Sequence, residues 1–170
     1  MRIVGGRFAG RPLTSPADRR VRPTAEAIRA ALLEELAPAL ARARVLDLFA
    51  GTGALGLEAL SRGAATADFV EFRPASLHAL RANIAALRLR EVTRVFKRDA
   101  IAFAEALDRA SYDIAFADPP YESGILDRVI SIWRGSRFST ILAVEHARTQ
   151  PVGGGQRRNF GDSAITLYHA

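Results

Sequence analysis

Val45-Leu46-Asp47-Leu48-Phe49-Ala50-Gly51-Thr52-Gly53-Ala54-Leu55-Gly56 changes rhythm halfway along. Its first five residues, apolar but for Asp47, have the length of a buried strand. The stretch from Ala54 to Arg62, rich in Ala and Leu, reads as a helix. Between them stand Gly51, Gly53 and Gly56 in the pattern G-x-G-x-x-G, and Glu71 follows Gly51 by twenty residues. A strand, a glycine turn, a helix and an acid at that distance form half of a nucleotide-binding α/β unit. Glycine lets the backbone approach a ligand, and the acid accepts hydrogen bonds from ribose hydroxyls.

The same alternation continues outward. Asp68–Phe72 reads as a second strand followed by a helix from Pro74 to Leu87, with Pro74 suited to a first turn. Val92–Lys97 is a third strand, with a helix from Ala100 to Arg109, and Tyr112–Ala117 is a fourth, with a helix from Ile125 to Arg134. Thr140–Glu145 is a fifth strand. Arg157–Phe160 and Ser163–Tyr168 are two more with no helix between them, which implies an antiparallel edge hairpin on a largely parallel sheet. Ahead of this unit, residues 2–14 read as a short hairpin and residues 15–23 as polar loop. Thr24 is placed to cap a helix reaching about Leu40, with Ile28, Leu32 and Leu36 on one face and Pro38 weakening its end. The division expected is a basic arm over residues 1–23 and one domain over residues 24–170.

The 170 residues are 49% hydrophobic and 25% charged, ordinary for one globular domain with a core. No apolar run approaches the ~18 residues of a membrane span, and the first residues lack the apolar stretch of a signal peptide. A cytoplasmic location and no membrane partner are expected. Without cysteine, and with His78, His146 and His169 scattered, no metal centre is expected. The net charge of +6 is unevenly placed: residues 1–29 carry seven arginines against Asp18 and Glu26. A basic arm beside a near-neutral domain is an electrostatic footprint for nucleic acid.

Two features narrow the chemistry. Asp47 lies four residues before the first glycine, where a dinucleotide pyrophosphate would be repelled. S-adenosylmethionine (SAM), with its ammonium and sulfonium, would be favoured there over NAD. Asp99 follows the third strand and could accept from an adenine amino group. Asp47, Glu71, Asp99 and Asp118 thus fall at successive strand ends. The fourth strand then runs into Asp118-Pro119-Pro120-Tyr121, which offers a carboxylate, carbonyls held by two fixed φ angles and an aromatic face. If Asp118 and the Pro119 carbonyl accept both N–H bonds of an exocyclic amine, its lone pair is freed to meet a methyl group. Tyr121 can stack on the base. The tetrapeptide alone serves guanine N2 and adenine N6 equally.

Asp47 to Ala64 (DLFAGTGALGLEALSRGA) together with Asp118-Pro119-Pro120-Tyr121, Arg2–Arg7, Gly10–Leu13, Arg22-Pro23-Thr24, Arg29, Val144-Glu145-His146 and Phe160-Gly161-Asp162 resembles the bacterial 16S rRNA (guanine(966)-N2)-methyltransferase family over essentially the whole chain. It departs from that family at Ala30 and Leu33, where Glu and Phe are frequent. The resemblance implies a Rossmann-like class I SAM-dependent methyltransferase fold. That fold is a seven-stranded, mostly parallel sheet with an antiparallel final strand, plus a small N-terminal hairpin and helix. It implies methylation of a guanine N2 amine in 16S rRNA, within a 30S assembly particle, by a monomer. Asp118, Pro119, Pro120 and Tyr121 are then the candidate catalytic residues. Asp47, Phe49, Gly51, Gly53, Glu71, Phe72, Asp99, Ala100 and Asp118 are candidates for holding SAM. Arg2, Arg7, Arg11, Arg22, Thr24 and Arg29 are candidates for RNA. Other readings are an adenine-N6 methyltransferase, an NAD-dependent oxidoreductase, and a non-catalytic RNA-binding assembly factor. The second leaves the tetrapeptide unexplained. The third would be signalled by loss of Asp118 or of the glycine loop, and both are present.

Overall fold

The computed structural model describes residues 1–16, 23–121 and 124–170. Seven strands form one sheet: β1 (Arg44–Asp47), β2 (Thr66–Val70), β3 (Thr93–Phe96), β4 (Tyr112–Ala117), β5 (Ser139–Ala147), β6 (Gln156–Phe160) and β7 (Ser163–His169). Their spatial order is β3-β2-β1-β4-β5-β7-β6. Strands β1 to β5 pair in parallel. Strand β7 runs antiparallel to both β5 and β6, so it is inserted between them and β6 becomes the edge. The helices are α1 (Pro23–Glu35), α2 (Ala37–Leu40), α3 (Ala54–Ser61), α4 (Pro74–Ala86), α5 (Ala100–Glu105) and α6 (Ile125–Ser136).

Helices cover both faces, which is why the central strands are apolar on both sides. Val45, Phe69, Ile114 and Phe116 point one way, into Ile28 and Leu32 of α1, Leu57 and Leu60 of α3 and Leu80 of α4. Leu46, Val70, Ala115 and Leu142 point the other way, into Phe103 of α5 and Leu126, Val129 and Trp133 of α6. Sheet order reverses between β1 and β4, each of which leads away to a different flank. The crevice at their carboxyl ends is where such sheets bind ligands.

The N-terminal segment forms the expected hairpin in minimal form. Arg2 and Pro12 make an antiparallel bridge, Ile3 N donates to the Arg11 carbonyl, Gly10 N to the Ile3 carbonyl and Leu13 N to the Met1 carbonyl, and a 3-10 turn, Gly6–Phe8, lies between the two arms. The turn end of this hairpin is tied down by partners on α3. Glu58 accepts from the backbone N–H groups of Val4 and Gly5, and Ser61 Oγ accepts from Phe8 N and donates to the Gly5 carbonyl. Gly6, at φ +78°, sits so close to α3 that a Cβ there would lie 2.0 Å from the Ser61 carbonyl oxygen. The helix expected through Leu40 breaks at Leu36 into α1 and α2, because Pro38 has no N–H to donate to the carbonyl four residues back. Helix α1 begins at Pro23, so Thr24 lies inside its first turn and is not its cap.

Candidate functional site

The glycine turn is shaped by two residues in the left-handed region, Gly51 at φ +55° and Gly53 at φ +83°. Their surroundings differ. A Cβ on Gly53 would meet Leu80 Cδ1 at 2.4 Å, whereas one on Gly51 meets nothing within 4 Å. Gly53 is therefore required by packing, and Gly51 faces open space at the sheet's carboxyl edge. Gly56 also packs closely, 2.4 Å from Phe69 Cε1 by the same measure.

Helix α3 starts at Gly53, which has no side chain to cap it. Asp47 does this from the neighbouring strand: its Oδ2 accepts from Gly56 N at 3.2 Å, in the first turn, where the helix dipole also favours a negative charge. Asp47 is 3% exposed. Burial, with a smaller push from Glu71, raises its pKa to about 7, and the Gly56 bond opposes the rise. Glu71, also buried, accepts from Phe72 N and Arg73 N through Oε1 (2.9 Å each) and from Gly51 N through Oε2 (3.0 Å), and Arg73 Nε lies 3.4 Å from Oε1. Among the described residues Oε2 takes a single bond, so one of its lone pairs is left for a hydroxyl donor. Asp99 caps α5 by accepting from Ala102 N at 2.9 Å and stays exposed at the end of the row, beyond the outermost parallel strand. Phe49 is half-buried and Ala100 buried. The large hydrophobic side chains standing exposed among the described residues are Phe72, at 58%, and Tyr121, at 41%. One follows β2 and the other follows β4, so they flank the crevice, and exposed aromatics in that position suit stacking on flat rings.

Asp118 follows β4 directly and opens to the crevice. Surrounding protein and the carboxylates of Glu145 and Asp47 push its pKa well above the ordinary carboxylate value. Because water reaches this residue through the open crevice, the two like charges are the part of that rise that persists. Tyr121 is held by a 3.0 Å hydrogen bond between its Oη and Ser163 Oγ at the start of β7.

Sequence reasoning assigned no role to two groups here. Glu145 enters the crevice only because β5 runs alongside β4, a long-range pairing that local pattern does not reveal. Asn83, 2% exposed on α4, accepts from Thr14 N and donates to the carbonyls of Thr14 and Thr52. It thereby fastens the glycine turn to the N-terminal segment. The arginines separate into two kinds. Arg2, Arg7 and Arg11 are exposed. Arg29 is not an RNA-facing group: it is 5% exposed, with Nε donating to Glu58 Oε2 at 2.9 Å and Nη2 to the Arg2 carbonyl at 2.5 Å. Arg22 and the Thr24 side chain lie outside the described residues.

Residues 1–154 match the family model described as Conserved hypothetical protein 95. Over 132 residues, 78% of this chain, the sequence is 41% identical to ribosomal RNA small subunit methyltransferase D of Escherichia coli K12. The chain belongs to the ribosomal RNA small subunit methyltransferase D family. The aligned region spans 66% of the length of that relative. Among solved structures, E. coli yhhF superposes with a TM-score of 0.86 at 34% identity, over 99% of this chain and 97% of its own. The T. thermophilus 16S rRNA N2 G1207 methyltransferase RsmC, determined with AdoMet and guanosine, shares the fold at a TM-score of 0.69 and 23% identity, over 90% of this chain and 44% of its own. No helix among the described residues is long and apolar enough to cross a membrane.

Proposed function

We propose that the chain transfers the methyl group of SAM to the N2 amine of a guanine in 16S rRNA, the guanine at position 966, in the cytoplasm and on an assembling small subunit. The observation that carries the reading is the meeting, at one crevice of this family's fold, of the glycine turn with Glu71 on one side and Asp118-Pro119-Pro120-Tyr121 on the other. The residues fit SAM. Glu71 keeps a lone pair for ribose hydroxyls, Gly51 leaves space for backbone approach, Phe72 offers a face for adenine, and Asp47 offers negative charge to an ammonium. SAM supplies an electrophilic methyl on a sulfonium. Asp118 and the Pro119 carbonyl accept hydrogen bonds from the two amine N–H groups and aim the nitrogen lone pair. As that nitrogen gains positive charge, Asp118 stabilises the transition state more than the ground state. The proton left on the methylated nitrogen departs to Asp118 or to water. Residues 1–23 serve as the RNA-binding arm and residues 24–170 as the methyltransferase domain, with the protein acting as a monomer.

The test is methyl transfer from labelled SAM to naked 16S rRNA and to unmethylated 30S particles, with the modified nucleotide mapped. N2-methylguanosine is expected. Label confined to adenine or to DNA would overturn the reading. Asp118→Ala is expected to slow transfer by roughly 10²–10³-fold while calorimetry still shows SAM bound. Full activity in that variant would remove Asp118 from its role.

A further inference from the structure

The register between β4 and β5 pairs Ala117 with Val144, so the next residues on the two strands, Asp118 and Glu145, stand side by side. Parallel strands lie about 4.8 Å apart, and alternate residues share a face. Phe116 and Ala143, two residues back on each strand, both lie in the core layer beneath α1 and α3. Asp118 and Glu145 therefore point to that same side, as does Asp47, whose register partner is Phe116. The effect of the Glu145 and Asp47 carboxylates on Asp118 agrees with this placement. Beyond Glu145 lies Ser163, which pairs with Ala147 and holds Tyr121. Glu145 thus stands between the group that grips the amine and the strand that braces the stacking ring.

Two adjacent acceptors suit only one kind of base edge. Guanine presents its N2 amine next to N1–H, donor beside donor. Adenine presents its N6 amine next to a bare N1, donor beside acceptor. Resting on the guanine-N2 reading above, we propose that Glu145 is the residue that selects guanine, accepting N1–H while Asp118 accepts from N2. A two-donor edge relieves the repulsion between the carboxylates. Adenine adds a third acceptor to it, so the same pair binds one base and repels the other. The tetrapeptide serves either amine, and the fifth strand supplies the discrimination.

2-Aminopurine carries the guanine amine but has an unprotonated N1 and no O6, so the contact is read from how the ratio of the two bases changes between the wild type and Glu145 variants. The experiment compares kcat/KM for 16S rRNA bearing guanine, 2-aminopurine or adenine at the mapped target position, using the wild-type chain and Glu145→Gln. The wild type is expected to prefer guanine over 2-aminopurine by about 100-fold or more, as a site built around a donor rejects an analogue that lacks it. Glu145→Gln can donate its amide to a bare N1, and should bring that ratio within about tenfold. Glu145→Asp keeps the charge at shorter reach, so it should lose rate on guanine yet keep the preference. It also serves as the deciding variant should the Gln form not fold. If the wild type methylates guanine and Glu145→Gln leaves the ratio unmoved, or if the Gln form does not fold and Glu145→Asp loses no rate on guanine, the role of Glu145 is overturned and the guanine-N2 reading stands. If the wild type methylates adenine and never guanine, the reading itself is overturned.

Discussion

Asp47 serves two demands that conflict. Its carboxylate caps α3, yet it is buried and shares the crevice with Glu71, so its pKa rises to about 7. A carboxyl whose folded pKa is raised favours folding most when protonated. Its contribution is fully present below the unfolded value near 4 and is lost as pH climbs through about 7. Asp47→Asn keeps an oxygen to accept from Gly56 and removes the charge. The variant should therefore be more stable than the parent, with a gain that grows by roughly 3 kcal/mol between pH 5 and pH 8. Urea unfolding at the two pH values measures it, and a gain equal at both would show that Asp47 is not the titrating group. SAM affinity should fall in the same variant, since the charge that burial penalises is the one offered to the ligand's ammonium.

At the scale of elements, the turn between β1 and α3 assigns different tasks to neighbouring glycines. Gly51→Ala introduces a methyl into open space at a φ of +55°, a conformation that Ala110 already adopts in this chain. Its folding cost should be only ~1 kcal/mol, and its main effect should be on SAM affinity. Gly53→Ala drives a methyl into Leu80 and should lower the melting temperature far more. Parallel thermal melts and SAM titrations separate the two, and equal loss of stability in both variants would contradict the assignment. The order of strands and helices was readable because each is a short local period, and boundaries such as Tyr112–Ala117 agree with the structure. So were Asp118, Glu71 and the exposed Phe72 and Tyr121, because they follow strand ends directly. The failures share one cause. Glu58, inside α3, takes backbone N–H groups from residues 54 and 53 positions away, which ties the N-terminal hairpin to α3, and it draws Arg29 into the interior. Glu145 likewise gains its meaning from a neighbouring strand. No window of sequence shows such partners.

Across the whole molecule, the basic excess has to be divided into charge that faces solvent and charge consumed inside. Arg29 is neutralised by Glu58, and Arg2 is paired at the surface with Glu26. Arg7 and Arg11 stay exposed, with Arg7 lying over the Phe8 ring at 4.6 Å and Arg11 donating to the Ala86 carbonyl, so both are held in place on the same segment. Each phosphate neutralised by such a cation adds about 0.7 to 0.9 to the slope of log K against log salt concentration. Replacing both Arg7 and Arg11 by Ala should thus weaken RNA binding and flatten that slope by about 1.4 to 1.8, with SAM affinity unchanged. Arg29→Ala should act differently: it leaves the Glu58 carboxylate buried with one partner fewer, at a cost of about 3 kcal/mol in stability, and should leave the slope of the surviving folded protein near its original value. Filter binding to 16S rRNA between 50 and 200 mM salt, the range over which such contacts are most visible, distinguishes the two. A slope unmoved by loss of Arg7 and Arg11 would place the RNA on another face of the molecule.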